Sequence, residues 1–144
     1  MIFEDERMPR WAYVLPCPFM VAAAYLEKHN QYKSELTMST NLRQFTFALG
    51  KEHGIEGIRF RDYLDWDLYN KMDPDVGFAR YGIIIWRDKK PDDQETVEKV
   101  KAVIADLKEK LGIKEKEKWG LINYAHDIDT CYLPQESEMP AVFT

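Results

Sequence analysis

One stretch restricts the fold of this chain more than any other: FARYGIIIWRD, residues 78–88. Alternate side chains of an extended segment point to opposite faces. One face then carries Ile84 and Trp86, and the other carries Tyr81, Ile83 and Ile85. Because both faces are apolar, the strand needs cover on both sides. We therefore predict that it lies in the middle of a sheet.

The clearest helical pattern lies in PDDQETVEKVKAVIADLKEKLG, residues 91–112. Asp92 with Glu95 resembles a capping box, and Gly112 is typical of a helix end. Apolar residues recur at helical spacing, which predicts one buried face. Its members are Val97, Val100, Val103, Ile104, Leu107 and Leu111.

The first half of the chain predicts one strand and two helices. RWAYVLP, residues 10–16, is rich in the aromatic and branched side chains that favour strands, and Pro16 ends this run. Pro18 suits the first turn of a helix that extends through residue 30. A second helix is predicted to begin at a Thr40 cap and to end at Gly50 or Gly54.

The second half predicts two more strands and another helix. GIRFR, residues 57–61, alternates as a short strand does. DYLDWDLYNKM, residues 62–72, has apolar residues at helical spacing and predicts a helix, although an ordered loop is an alternative. WGLINYAHDI, residues 119–128, predicts the last strand, and residues 132–144 read as a loop-like tail.

The order of these elements predicts a single α+β domain over residues 1–144, with a mixed sheet of about four strands and helices packed on it. If strands 78–87 and 119–128 are parallel neighbours, the helix between them is a right-handed crossover. Antiparallel pairing of these strands stays open as an alternative.

Charge and apolar content restrict the possible partners. The net charge of −5 argues against nucleic acid and anionic membranes as partners, although a local basic patch stays possible. No segment resembles a signal peptide or a membrane span, so we expect a cytoplasmic protein. Cys17 and Cys131 are then expected to be free thiols.

The segment NYAHDIDTC, residues 123–131, is a candidate for chemistry. In a strand, Asp127 and Asp129 point to one side, where two carboxylates can hold Mg²⁺ or Mn²⁺. His126 points to the other, apolar side and is interpreted as a core residue. Cys17, between two prolines near a helix start, is an alternative nucleophile. Our main expectation is that the protein has no metal, cofactor or catalytic residue.

Arginines accompany aromatic residues in two predicted strands. If the strands are adjacent, Arg59 and Arg61 can join Arg80 or Arg87 to bind a nucleotide or another phosphate ligand. The simpler alternative, which we favour at this point, is that they pair with the acids of residues 62–75.

The main functional hypothesis rests on an aromatic-acidic surface within residues 62–72. The segment carries two apolar stripes, which cannot both be buried easily in a helix, and exposed aromatic residues are favoured in interfaces. We therefore expect a non-catalytic inhibitor, adaptor or subunit that binds a protein with a basic surface, and self-association stays open. A small enzyme, or a protein that binds a nucleotide or phosphate ligand, using Asp127 and Asp129 with nearby arginines is the alternative. The surface residues are Asp62, Tyr63, Asp65, Trp66, Asp67 and Tyr69.

Overall fold

A computed structural model describes residues 9–71, 79–123 and 136–141. The described residues form an α+β fold with four strands and four α-helices, as the sequence predicts in outline. In chain order, the elements are β1 (Arg10–Pro16), α1 (Phe19–Lys28), α2 (Met38–Glu52), β2 (Arg59–Leu64), α3 (Trp66–Lys71), β3 (Ala79–Arg87), α4 (Gln94–Leu111) and β4 (Lys118–Ile122), followed by a short 3-10 helix (Glu136–Glu138).

The four strands are all antiparallel and close into a small barrel with the order β1-β3-β2-β4. β4 pairs with β1 along its length, and the pair Leu64–Leu121 joins it to β2. The number of strands is as predicted, but the prediction of a mixed sheet is wrong, because every pair is antiparallel and the strands close into a barrel. The condition for a right-handed crossover is not met, because β3 and β4 are not neighbours. β3 does lie between two strands, as its apolar faces require.

Helix α4 matches its predicted pattern most closely. All six predicted core residues are buried, and Gly112 ends the helix in the left-handed conformation with φ of 67°. The N-cap is Asp93, whose side chain accepts a hydrogen bond from the Thr96 N–H at 2.9 Å. The capping box predicted at Asp92 and Glu95 is thus displaced by one residue.

Helix α2 begins earlier than predicted. Thr37 is its N-cap, and the hydroxyl of Thr37 accepts a hydrogen bond from the Thr40 N–H at 3.2 Å. Gly50 lies inside the helix and allows close packing, since a Cβ there would be 2.7 Å from the Ile55 carbonyl oxygen. The helix continues to Glu52, two residues beyond Gly50.

The first three residues of the helix predicted over 62–72 belong to a strand. β2 extends to Leu64, and α3 begins only at Trp66. Asp65 separates the two elements: its Oδ1 accepts hydrogen bonds from the N–H groups of Asp67 at 3.1 Å and Leu68 at 3.3 Å. A carboxylate in this position starts a helix by pairing donors that the first turn leaves unsatisfied. Asp65, which lies inside the predicted helix, is therefore the cap at the start of α3.

The strands separate two apolar regions. The helices pack on one face of the strands and form the main core. Inside the barrel, five side chains form a second cluster that contains only strand residues: Ala12, Val14, Tyr63, Ile84 and Ile122. The Tyr63 ring fits because Gly82 and Gly120 have no side chain, since a Cβ on either glycine would lie within 3.0 Å of that ring.

A β-bulge in β3 changes which side chains face the barrel interior. Tyr13 pairs with Trp86 and Val14 pairs with Ile84, so Ile85 is an extra residue between the two pairs. Trp86 therefore packs against the main core and not on the face of Ile84, as strict alternation predicted. Arg87 pairs with Ala12 and lies on the interior face.

Candidate functional site

Arginines gather at one end of the barrel. In this antiparallel arrangement, the starts of β1 and β2 lie beside the end of β3. The register places Arg10, Arg59 and Arg61 on the same face as the interior cluster, and the bulge adds Arg87. Arg43 of α2 is also close enough to act on Arg59. We call these residues the arginine rim: Arg10, Arg43, Arg59, Arg61 and Arg87.

The rim arginines repel one another. Partial burial lowers the pKa of Arg59, and the charges of Arg61, Arg43 and Arg10 lower that pKa further. The pKa of Arg87 is lowered by partial burial and then by Arg59, Arg10 and Arg61. Both directions mean that positive charge is disfavoured at the rim. A bound anion would relieve this repulsion.

Three rim arginines have partners among the described residues. Arg10 donates from Nε to Asp88 Oδ1 at 3.0 Å. Arg61 donates to Asn123 Oδ1 at 3.2 Å and lies 3.9 Å from Asp62 Oδ1. Arg87 donates from Nη2 to the Gly57 carbonyl oxygen at 3.2 Å, and its Nε is buried without an acceptor among the described residues.

Arg43 and Arg59 are both exposed at the surface. Neither side chain makes a hydrogen bond or an ion pair with any residue that the structure describes. Their guanidinium groups, together with Arg87 Nε, supply the unused donors of the rim. The alternative that the arginines pair with the acids of residues 62–75 fits Arg61, which lies beside Asp62, but not Arg59.

Of the open cavities that adjoin the rim, two are lined by both Gly57 and Phe47. The Phe47 side chain is 55% exposed and stands at the border of the two cavities. The first, of about 350 Å³, is also lined by Arg43, Gln44, Ile58 and Arg59. The second, of about 540 Å³, is also lined by Lys51, Ile55, Glu56 and Arg87.

The predicted arginine set is partly brought together. Arg59, Arg61 and Arg87 lie at the rim, whereas Arg80 pairs with Tyr63 towards the opposite end of the barrel. Arg10 and Arg43 were missed by the sequence analysis. No local pattern marks them, because their approach to the other arginines depends on barrel closure and on the packing of α2 against β2.

The predicted aromatic-acidic surface is largely buried, which corrects that interpretation. Tyr63 is 1% exposed inside the barrel, and Trp66 is 6% exposed with its ring 5.3 Å from that of Trp11. Asp65 is 6% exposed. The apolar stripes are accommodated because residues 59–64 form a strand, which sends alternate side chains into two separate apolar regions.

The remaining acids of that segment have internal partners. Lys118 Nζ lies 3.0 Å from Asp65 Oδ2 and 3.6 Å from Asp67 Oδ2. Asp62 lies beside Arg61. Tyr69 is half-buried and packs against Trp66. Asp62 and Asp67 are the acids of the segment that still reach solvent.

The other predicted chemical groups lie elsewhere or outside the described residues. Cys17 is a free, fully buried thiol, and burial raises its pKa to about 12, so it is protonated at neutral pH. His126, Asp127, Asp129 and Cys131 lie outside the described residues. Within the described ranges, no group of three His, Cys, Asp or Glu side chains is arranged to hold a metal ion.

No protein family, curated protein or solved structure matches this chain. Among the residues that the structure describes, no helix combines the length and the apolar character needed to cross a membrane.

Proposed function

We propose that this protein binds a phosphate-bearing ligand at the arginine rim, acting as a binding protein and not as an enzyme. The observation that supports this most directly is the convergence of five arginines, two of which have no partner among the described residues. This develops the alternative drawn from the sequence, with Arg10 and Arg43 added and Arg80 removed.

The chemistry of the rim suits phosphate. A guanidinium group offers several N–H donors in a planar fork that matches two oxygens of a phosphate. Adjacent arginines repel each other. A multivalent anion that lies between them attracts both guanidinium groups and offsets this repulsion. Arg43 and Arg59 line the same cavity, so one ligand can contact both.

Local charge decides this interaction more than total charge does. The chain carries −5 overall, but exposed charges separated by more than about 8 Å are largely screened at physiological salt. Asp88 and Glu56 lie near the rim and offset part of its charge. We therefore expect binding that is confined to the rim and weakens steeply as salt concentration rises.

The test is calorimetric titration with inorganic tripolyphosphate. Arg59→Gln should raise the dissociation constant by about tenfold, which is ~1.4 kcal/mol, since one charge-assisted hydrogen bond is lost. Arg43→Gln should act similarly. Lys114→Gln is the matched control, because it removes the same charge from an exposed site near the start of β4, at the opposite end of the barrel.

Two results would contradict the proposal. One is the absence of tripolyphosphate binding at low salt. The other is an equal loss of affinity in Lys114→Gln and Arg59→Gln, which would indicate attraction to the whole surface and not to the rim.

A second candidate retains the original hypothesis in reduced form, with an inhibitor, adaptor or subunit whose partner has a basic surface. The exposure of the Asp67 side chain, 70%, supports a contact there. Asp67→Lys should then abolish capture of the partner, whereas it should leave tripolyphosphate binding unchanged. Retention of the partner by this variant would refute the second candidate.

A further inference from the structure

Phe47 has a location that packing does not explain. It lies on α2 with its side chain 55% exposed, and it forms no ring contact with another described residue. Arg43 precedes it by four residues and Lys51 follows it by four, so the three side chains lie along one face of the helix. The aromatic ring is therefore framed by two cationic groups.

The surroundings of Phe47 combine an apolar surface with phosphate-binding groups on both sides. Arg43 and Arg59 line the cavity on one side, and Lys51 and Arg87 line the cavity on the other. Aromatic side chains beside a basic groove are the arrangement on which single-stranded nucleic acids bind: bases stack on the rings and phosphates contact the cations.

We infer that the ligand of the arginine rim is a single-stranded nucleic acid, with one base stacked on Phe47 and phosphates held by arginines in both adjacent cavities. This inference rests on the proposed function. It departs from the expectation drawn from net charge, because five arginines converge at one end of the barrel.

The geometry favours a single strand over the other nucleic-acid ligands. The bases of a duplex are stacked on each other and are not available to a protein ring. A mononucleotide would place phosphate in one cavity and leave the cations of the other unused. Gln44, exposed next to Arg43, lines the first cavity and offers an amide for the edge of a base.

Fluorescence anisotropy with a labelled oligothymidine of roughly 12 nucleotides is the test, because known single-strand sites span about that length. An abasic strand of equal length measures the phosphate contribution alone. The wild-type protein should bind oligothymidine at least about fivefold more tightly than the abasic strand, as expected for one stacked base. Thymidine monophosphate should compete weakly.

Phe47→Leu is the decisive variant, since leucine keeps an apolar side chain on an exposed helix position and removes the ring. It should abolish the difference between the two strands, leave abasic-strand binding unchanged and leave the melting temperature unchanged. Phe47→Trp should retain the difference. Arg59→Gln should weaken binding of both strands by a similar factor.

The possible failures are distinguishable. Equal affinity for the abasic strand and oligothymidine would overturn the stacking inference while leaving phosphate binding at the rim intact. Equal competition by thymidine monophosphate, or tighter binding of a duplex, would also overturn it. If tripolyphosphate fails to bind as well, the proposed function falls together with this inference.

Discussion

The close packing inside the barrel gives the sharpest test of the fold, through the substitution Gly82→Ala. A Cβ at Gly82 would lie 2.5 Å from Val14 Cγ1, 2.9 Å from the Leu15 carbonyl oxygen and 3.0 Å from Tyr63 Cε1. Ordinary contacts need 3.4–4 Å, and one of these neighbours is strand backbone that cannot turn away. We expect Gly82→Ala to lower the free energy of unfolding by about 3 kcal/mol, near the top of the usual range for overpacking.

Gly112→Ala provides the comparison. Gly112 has φ of 67°, and no described atom lies within 4 Å of the position that a Cβ would take. Its substitution should therefore lower the free energy of unfolding only by the cost of alanine in the left-handed conformation, about 1 kcal/mol. Both variants restrict the unfolded chain equally. The difference, about 2 kcal/mol, is therefore steric, and urea unfolding followed by tryptophan fluorescence can measure it. A Gly82→Ala variant no less stable than Gly112→Ala would refute the closed barrel interior.

Three further predictions concern single side chains. Asp65→Ala should reduce the free energy of unfolding by about 1–3 kcal/mol in urea, because it removes the buried carboxylate that caps α3 and pairs with Lys118; no loss would contradict that role. The hydrogen bond from Lys110 lowers the pKa of Asp106. The stabilisation that ionised Asp106 gives to the folded protein should therefore be present above the unfolded-state pKa and disappear as pH falls through the lower folded-state pKa. Asp106→Asn should flatten the acid side of the stability profile, and an unchanged profile would exclude this linkage. Cys17, with the other cysteine replaced by serine, should resist iodoacetamide at mildly alkaline pH until the protein unfolds, because burial raises its pKa to about 12; rapid labelling of the folded protein would contradict its burial.

Local patterns predicted the helices better than the sheet. The apolar face and the glycine stop of α4 are properties of one continuous segment, and both were predicted correctly. The helix prediction for residues 62–72 was incorrect in part, because an apolar stripe at helical spacing also fits a strand followed by a short helix. The pairing of Asp62, Tyr63 and Leu64 with β3 distinguishes the two, together with the hydrogen bonds of Asp65. Strand pairing depends on contacts between distant segments, so barrel closure was missed.

The candidate site was predictable in part for the same reason. The sequence predicted that Arg59 and Arg61 can join Arg80 or Arg87 if their strands are adjacent, although pairing with nearby acids was favoured. The strands are adjacent, and Arg87 lies at the rim whereas Arg80 does not. Arg10 belongs to the first strand, and Arg43 belongs to a helix that packs beside β2. Neither has a neighbour in sequence that signals a shared site. Reasoning about β2 and β3 alone could therefore identify only Arg59, Arg61 and Arg87, the rim arginines on those two strands.

The bulge in β3 connects the fold to the proposed function. With strict alternation, Trp86 would follow Ile84 towards the barrel interior, and Arg87 would point at the main core under the helices. Burying a guanidinium group there without a partner would be costly. Because Ile85 is an extra residue in β3, the Trp86 indole faces the main core and Arg87 lies at the barrel end. Backbone irregularity, and not residue order alone, thus places Arg87 among the other rim arginines.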